Sequence, residues 1–395
     1  HQNQQIMKKL VYVLLMLVLL SCGQDADLPA TYYECQFAFP DSSLSHPKAA
    51  IYQDILDRNR KKGIIGAAMM VKDADGVWLG SSGKADLSAN VDVAPCNRFL
   101  IASISKSFTA TTIFKLVDQG LLTINDPVNR WISREITDNL ANANESTVKQ
   151  LLNHTSGIPD YITLQYDLDR INVEDNKWRQ EDILKYAYGK KATHNVGETY
   201  YYSNTNYLLL GMIIEKVSGL ILSKAYKSLL FSPLGLESAH YSTTHPIPTG
   251  TVKGYIDLYG NGQYAESQFL YEDELNTGDG GIAINAYDLG VFFESLLNGK
   301  VVSSESLEVM TTYEDLPSDW VDEDFGHFKN GHGLEYNKTP YGNSVGHTGG
   351  IDGFASIAQY FPEQNATFIL LINNVSYDDQ PRLNIYRETL QAMFE

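Results

Sequence analysis

Two pairs of strand-like runs stand at opposite ends of this 395-residue chain, with helical patterns filling the middle. Near the start, residues 66–71 and 77–80 read as β-strands joined through Asp75 and Gly76, a hairpin-turn pair. Near the end, 354–360 and 367–372 flank a turn at 362–365, and a helix is expected over 381–394. A first helix is expected over 49–62. Residues 103–300 read as mostly helical and loop-rich, with helical patterns such as 207–217 and 288–297. Strands at both ends around a helical middle predict an α+β fold: one antiparallel sheet shared by the two chain ends, with flanking helices and an inserted helical region. No repeat, low-complexity tract or interdomain linker interrupts this plan.

A hydrophobic fraction of 43% is ample for a large core. The net charge of -18 argues against nucleic acid or anionic lipid surfaces as partners, since both would repel the chain. Acidic residues concentrate over 314–324 around Trp320, a stretch read as a solvated loop.

Met7, Lys8 and Lys9 precede an apolar run over 10–20, the basic region and short apolar region of a secretory signal. That run is too short to span a bilayer comfortably. Leu19, Leu20, Ser21 and Cys22 resemble a bacterial lipobox, which implies cleavage before Cys22 and lipidation of its sulfur; residues 1–5 read as extra sequence ahead of a start at Met7. A soluble secreted protein cleaved elsewhere is the alternative. An exported compartment permits a disulfide between the remaining cysteines, Cys35 and Cys96, although two unpaired buried thiols would leave the same sequence. The expected organisation is a leader and signal over 1–22, a tether over 23–45 and a catalytic domain over 46–395, held by a lipid anchor in a bacterial cell envelope and facing the periplasm or the exterior.

Ser103 and Lys106 stand at the mouth of the best amphipathic helix. A bare serine is a poor nucleophile near neutral pH, and a positioned amine of depressed pKa is one way to activate it. The same spacing recurs at Ser45/Lys48, Ser81/Lys84 and Ser146/Lys149. Context separates them. Behind Ser103, Ala110, Ile113, Phe114 and Val117 recur at helical spacing up to a stop at Gly120, so Ser103 is expected at a helix start, where the dipole favours developing negative charge. Residues three apart share a face, so Lys106 can reach Ser103. Pro47 interrupts the first alternative, a strand-like neighbourhood surrounds the second, and Ser146 reads as an N-cap before 148–152. Ser103 as a plain N-cap beside a solvated Lys106 is the competing reading.

Acyl transfer also needs a proton donor for the leaving group and a holder for the oxyanion. Tyr202 and Asn204 precede the helix over 208–217; a phenol near an ammonium can have a lowered pKa and shuttle a proton, and an asparagine amide can both donate to and accept from a substrate amide. Otherwise Tyr202 is a core aromatic, one of 25 tyrosines. Tyr259/Asn261 and Tyr341/Asn343 share the spacing and read as turns. His347, Thr348, Gly349 and Gly350 lead into the last strands, where a histidine and a hydroxyl suit a substrate carboxylate and glycines allow close approach.

The order Ser-x-x-Lys, Tyr-x-Asn, His-Thr-Gly resembles the penicillin-recognising serine hydrolases, the family of class C β-lactamases and D-alanyl-D-alanine carboxypeptidases. The stretches 151–159, 202–211 and 278–283 fit it too, and the likeness covers about 45–395. It implies Ser103 as acylated nucleophile, Lys106 as its base and Tyr202 as proton shuttle. It further implies Asn204 on the acyl side chain, His347 and Thr348 on a substrate carboxylate, and the N–H groups of Ser103 and Gly350 as oxyanion hole. His154 and Ser156 are expected to be structural. Class C β-lactamases usually carry lysine where His347 stands, and relatives commonly carry proline at Val196.

The leading expectation is an envelope serine hydrolase working through an acyl-enzyme, a D-alanyl-D-alanine carboxypeptidase or related D-amino-acid peptidase. A β-lactamase or esterase shares every named residue. A non-catalytic lipoprotein that binds muropeptide or β-lactam is the alternative of another class. The implied partners are a small peptide, ester or β-lactam, among them peptidoglycan stem peptides, with no nucleic acid and no cofactor, and the chain is expected to be a monomer. A metal hydrolase built on His327 and His332 is disfavoured, since no carboxylate stands in a recognised ligand motif with them.

Overall fold

Strand β1, Gly66–Asp73, pairs antiparallel with β14, Ala366–Ile372, in the register Ala67↔Ile372 through Lys72↔Thr367. This one seam joins the two ends of the chain, as the strand patterns require. The computed structural model describes residues 43, 45–172, 178–241, 250–257, 259–267, 277–375 and 379–395, all within the unit Tyr33–Glu395. The leader, its Cys22 and most of the expected tether, with Cys35, lie outside the described residues.

Around the seam, β2 (Gly76–Asp86) and β3 (Val91–Asp92) extend the sheet on one side. On the other follow β13 (Phe354–Phe361), β12 (Gly342–Ile351), β11 (Glu335–Thr339), β10 (His327–Asn330) and β9 (Glu314–Asp315). The order of the nine strands is β3-β2-β1-β14-β13-β12-β11-β10-β9. Successive side chains of a strand point to opposite faces. Ala67, Met69 and Val71, with Phe368, Leu370 and Ile372, therefore meet the helices Ala49–Arg60 and Gln380–Phe394, where Tyr52, Leu56, Leu383, Tyr386 and Leu390 complete one core. Each fully buried side chain of this kind contributes roughly 1.5–3 kcal/mol. On the opposite face, Met70 meets Gly290 of the helix Ala286–Leu297 so closely that a Cβ there would lie 2.5 Å from its sulfur.

The two terminal helices are tied to each other. Asn59 Nδ2 donates to Glu388 Oε2 at 3.2 Å, and Lys48 Nζ donates to the Ala392 carbonyl at 2.6 Å. The first helix closes at Arg60, short of the expected 62, because Lys62 N–H turns back to Asn59 O in a tighter 3₁₀-type bond.

The inserted region is mostly helical, but it also contributes to small sheets that its helical patterns hid, each completed by one strand from outside it. Strands β4 (Phe99–Leu100), β8 (Ile282–Ile284) and β5 (His240–Tyr241) form one, and β6 (Tyr255–Ile256) lies between β15 (Asn374–Val375) and β7 (Ala265–Glu266) in another. Ser146 is not the N-cap of Val148–Leu152. Thr147 is, in a capping box with Gln150, while Ser146 bonds back to the Asn142 carbonyl. The acidic stretch 314–324 is not simply a solvated loop: it supplies edge strand β9 and a 3₁₀ turn, Ser318–Trp320, whose indole packs edge-on against Tyr200 and Tyr201.

Candidate active site

Ser103 sits in a 3₁₀ turn, Ala102–Ile104, immediately ahead of the helix Ser105–Asp118. The α-helix thus begins two residues later than expected. The pairing survives, because side chains three apart eclipse one another in a 3₁₀ turn. Lys106 is fully buried, and its Nζ lies 3.0 Å from Ser103 Oγ and 3.0 Å from the Asp279 carbonyl. Ser103 itself keeps partial exposure. Ala102 enters the turn at φ +48°, a left-handed conformation that a residue with a Cβ adopts only where its surroundings enforce it. The enforcement is visible: Ile101 N–H donates to Ile282 O, and Ser356 Oγ donates to Ile101 O, both at 3.0 Å. The three other matches are spent elsewhere. Lys48 bonds the terminal helix, Ser81 lies in β2 and donates to Val93 O, and Ser146 bonds Asn142.

The second element comes from the start of the helix Asn204–Ser218. Ser203 caps it in extended backbone, so Tyr202 and Asn204 project from either side of the cap. Lys106 Nζ stands 5.0 Å above the Tyr202 ring, and the Tyr202 phenol hydrogen-bonds the Ser103 side chain. Burial pushes that phenol well above its ordinary range, and the nearby Glu335, Asp279 and Asp160 carboxyl groups push it the same way; the Ser103 hydrogen bond opposes them. This corrects the expected lowering by Lys106. The resting tyrosine is a neutral proton donor.

Behind it lies His154, at φ +59°, its ring stacked on Tyr202 at 4.4 Å and inclined to Tyr207 at 5.1 Å. Its Nδ1 accepts from Ser203 N–H at 3.2 Å and lies 3.3 Å from Asn206 Nδ2, while Ser156 Oγ donates to Asn206 Oδ1. Burial drives the His154 pKa well down, so its imidazole is neutral. Asn204 Nδ2 donates to Asp160 Oδ2 at 2.9 Å, and Tyr161 OH donates to Asp279 Oδ2 at 2.8 Å. Neither acid was singled out from sequence, although Asp160 borders and Asp279 lies within a stretch that carries the family resemblance.

The third element is β12. Gly349 is required there by close approach: a Cβ would lie 2.3 Å from the Ile101 carbonyl and 2.4 Å from Ser356 Oγ, the groups that hold the Ser103 turn. Gly350 is exposed and faces open space. Thr348 N–H donates to Glu335 Oε2 at 3.0 Å, and Thr348 Oγ1 donates to Glu335 Oε1 at 3.1 Å. His347 Nδ1 lies 2.5 Å from Thr348 O and 3.3 Å from Glu335 Oε1. Both neighbours are acceptors, which assigns the ring proton to Nδ1. Burial lowers the His347 pKa, with Glu335 opposing, so the ring is neutral near pH 7.

The structure thus brings Ser103, Lys106 and Tyr202 into contact, with Asn204 joined to their surroundings through Asp160, and sets His347 and Thr348 around an internal carboxyl group. Glu335 escaped the sequence reading, since a single acid in a Gly-Leu-Glu-Tyr run carries no motif. Its position comes from strand register, opposite Gly346. Cys96 is disulfide-bonded, and the other two cysteines lie outside the described residues. His332 packs edge-on against Phe114, and among the described residues no group of three or more His, Cys, Asp or Glu side chains is arranged to hold a metal ion.

Known proteins resemble this chain in sequence and fold. Protein flp of Staphylococcus aureus strain MW2 is 28% identical over 335 residues, 81% of this chain and 62% of its own length. The chain therefore spans less than two thirds of that relative. Penicillin-binding protein 4* of Bacillus subtilis strain 168 is 27% identical over 328 residues, 78% of this chain and 68% of its own. Among solved structures, D-amino acid amidase of Ochrobactrum anthropi SV3 complexed with L-phenylalanine superposes with a TM-score of 0.75 at 25% identity, covering 87% of this chain and 99% of the amidase. The Beta-lactamase family model matches residues 50–392, and the chain belongs to the Beta-lactamase family.

Proposed function

We propose that the protein is a serine hydrolase that cleaves amide or ester bonds through a covalent acyl-enzyme on Ser103, acting on D-amino-acid derivatives as a peptidase or amidase. The observation that carries this reading is the 3.0 Å contact between Ser103 Oγ and a fully buried Lys106 Nζ, with the Tyr202 phenol on the same oxygen. Ser103 Oγ attacks the substrate carbonyl carbon and its proton passes to Lys106. The tetrahedral oxyanion sits between the N–H groups of Ser103 and Gly350. Tyr202 gives its proton to the leaving nitrogen or oxygen and regains one from Lys106. Water then repeats the attack on the acyl-enzyme, releasing an acid and free Ser103.

The names of the amidase and of the penicillin-binding relative support substrates with a D-configured or penicillin-like acyl donor. A carboxypeptidase is the narrower form, in which the leaving group is an amino acid. A β-lactamase uses the same residues and differs in the speed of deacylation.

The test is acylation by a fluorescent penicillin followed over time by mass spectrometry, wild type beside Ser103→Ala. A Ser103-dependent adduct is expected, long-lived for a peptidase and quickly hydrolysed for a lactamase. No adduct with penicillin or an activated ester, or one that survives the substitution, refutes the mechanism. We further propose a lipid-anchored site of action in a bacterial envelope, on the strength of Lys8, Lys9, the apolar run 10–20 and Cys22. Cys22→Ser is then expected to release the protein from membranes on fractionation, and continued membrane association would refute the anchor.

A further inference from the structure

Two donors and one ring nitrogen at the His-Thr-Gly element converge on Glu335. It takes Thr348 N–H on one carboxyl oxygen and Thr348 Oγ1–H on the other, and His347 Nδ1 lies 3.3 Å away. Glu335 is only 5% exposed, so no water shell competes for these bonds. These are the groups that would otherwise hold a carboxylate on the leaving-group side of a substrate. A second carboxylate brought to Thr348 would find its donors occupied and a carboxyl group of like kind within a few ångströms, in a site where screening is weak. A carboxamide or ester meets no such penalty. A carboxamide also carries N–H donors that the remaining lone pairs of Glu335 can accept. His347 offers no compensating charge, because burial keeps it neutral. Lys106 Nζ is committed to Ser103 Oγ and the Asp279 carbonyl.

We propose that Glu335 is a specificity-determining residue that occupies the Thr348 donors and turns the leaving-group side of the site toward D-amino-acid amides and esters without a free carboxylate. This rests on the serine hydrolase reading above and narrows it: the product released is ammonia, an alcohol or a capped amine, rather than a free amino acid. The chemistry of each step is unchanged. The bond broken is still the acyl C–N or C–O bond, and Tyr202 still protonates the departing atom.

The experiment compares kcat/KM of the full chain for N-acetyl-D-alanyl-D-alanine and for the same dipeptide with its C-terminus amidated. The wild type is expected to favour the amidated substrate by about tenfold or more, the size of one poorly screened like-charge contact. In Glu335→Gln and Glu335→Ala that ratio is expected to fall about tenfold, through a lower KM for the free acid. A merely structural role for Glu335 would depress both substrates together and leave the ratio unmoved. The proposal is overturned by a wild type that prefers the free acid, which needs no variant to observe, or by a ratio unchanged in both variants. Neither result touches the nucleophile, whose failure shows separately as turnover or penicillin acylation that persists in Ser103→Ala.

Discussion

The titratable side chains near Ser103 are set by burial more than by their neighbours' charge. Tyr202 shows this, since an expected neighbouring lysine ammonium suggested a lowered phenol and the folded site raises it. His154, His347 and His332 follow the same rule in the opposite direction, each pulled below its ordinary value by desolvation, His332 to about 4. An unfolded imidazole near 6.5 takes up its proton before the folded one does, so the unfolded state binds more protons between those values. Stability is therefore complete above about pH 6.5 and lost as pH falls toward 4, and His332 alone accounts for up to about 3 kcal/mol of that loss. Urea unfolding at pH 7.5 and 4.5 checks it. His332→Gln is expected to flatten the difference, and an unchanged pH slope in that variant would refute the assignment.

At the scale of elements, the site is a meeting of three pieces that local patterns located and only tertiary packing could join. The helical spacing behind Ser103, the apolar run behind Asn204 and the glycines after Thr348 were each legible, because periodicity and glycine chemistry act over a few residues. What stayed hidden depends on partners far along the chain. The 3₁₀ turn at Ser103 is held by Ile282 and Ser356, the capping role fell to Thr147 rather than Ser146, and Glu335 gains its meaning from a strand register. Gly349 is where two pieces touch most closely. In Gly349→Ala, β12 must move away from the nucleophile turn, which is expected to slow penicillin acylation at least about tenfold and to cost about 1–3 kcal/mol of stability. Stopped-flow acylation and a urea midpoint measure the two effects, and wild-type acylation in this variant would show that the contact does not position Ser103.

Over the whole molecule, a net charge of -18 surrounds a site that itself holds Asp160, Asp279 and Glu335. Anionic acyl donors are expected to approach against this field, and added salt screens it. The second-order acylation rate with a carboxylate-bearing penicillin should rise severalfold between low and high ionic strength, as from about 20 to 500 mM, while an uncharged activated ester responds little. Equal salt dependence for the two reagents would remove the electrostatic account. The sheet plan itself was readable from the hairpins at either end, because short apolar runs bounded by turn residues declare strands and two half-sheets need each other's edges. The small sheets of the insertion were not, since strands of two or three residues carry no period.

The bond from Ser356 to Ile101 spans 255 residues. A ribosome making this chain finishes the Ser103 turn long before it makes β13, which carries Ser356, and β14 is made later still. Until then only the Ile282 carbonyl is there to hold the turn that keeps Ala102 in its left-handed conformation. On the proposed function, Ser103 and Lys106 therefore stand side by side in sequence early, and their alignment for chemistry waits for β13.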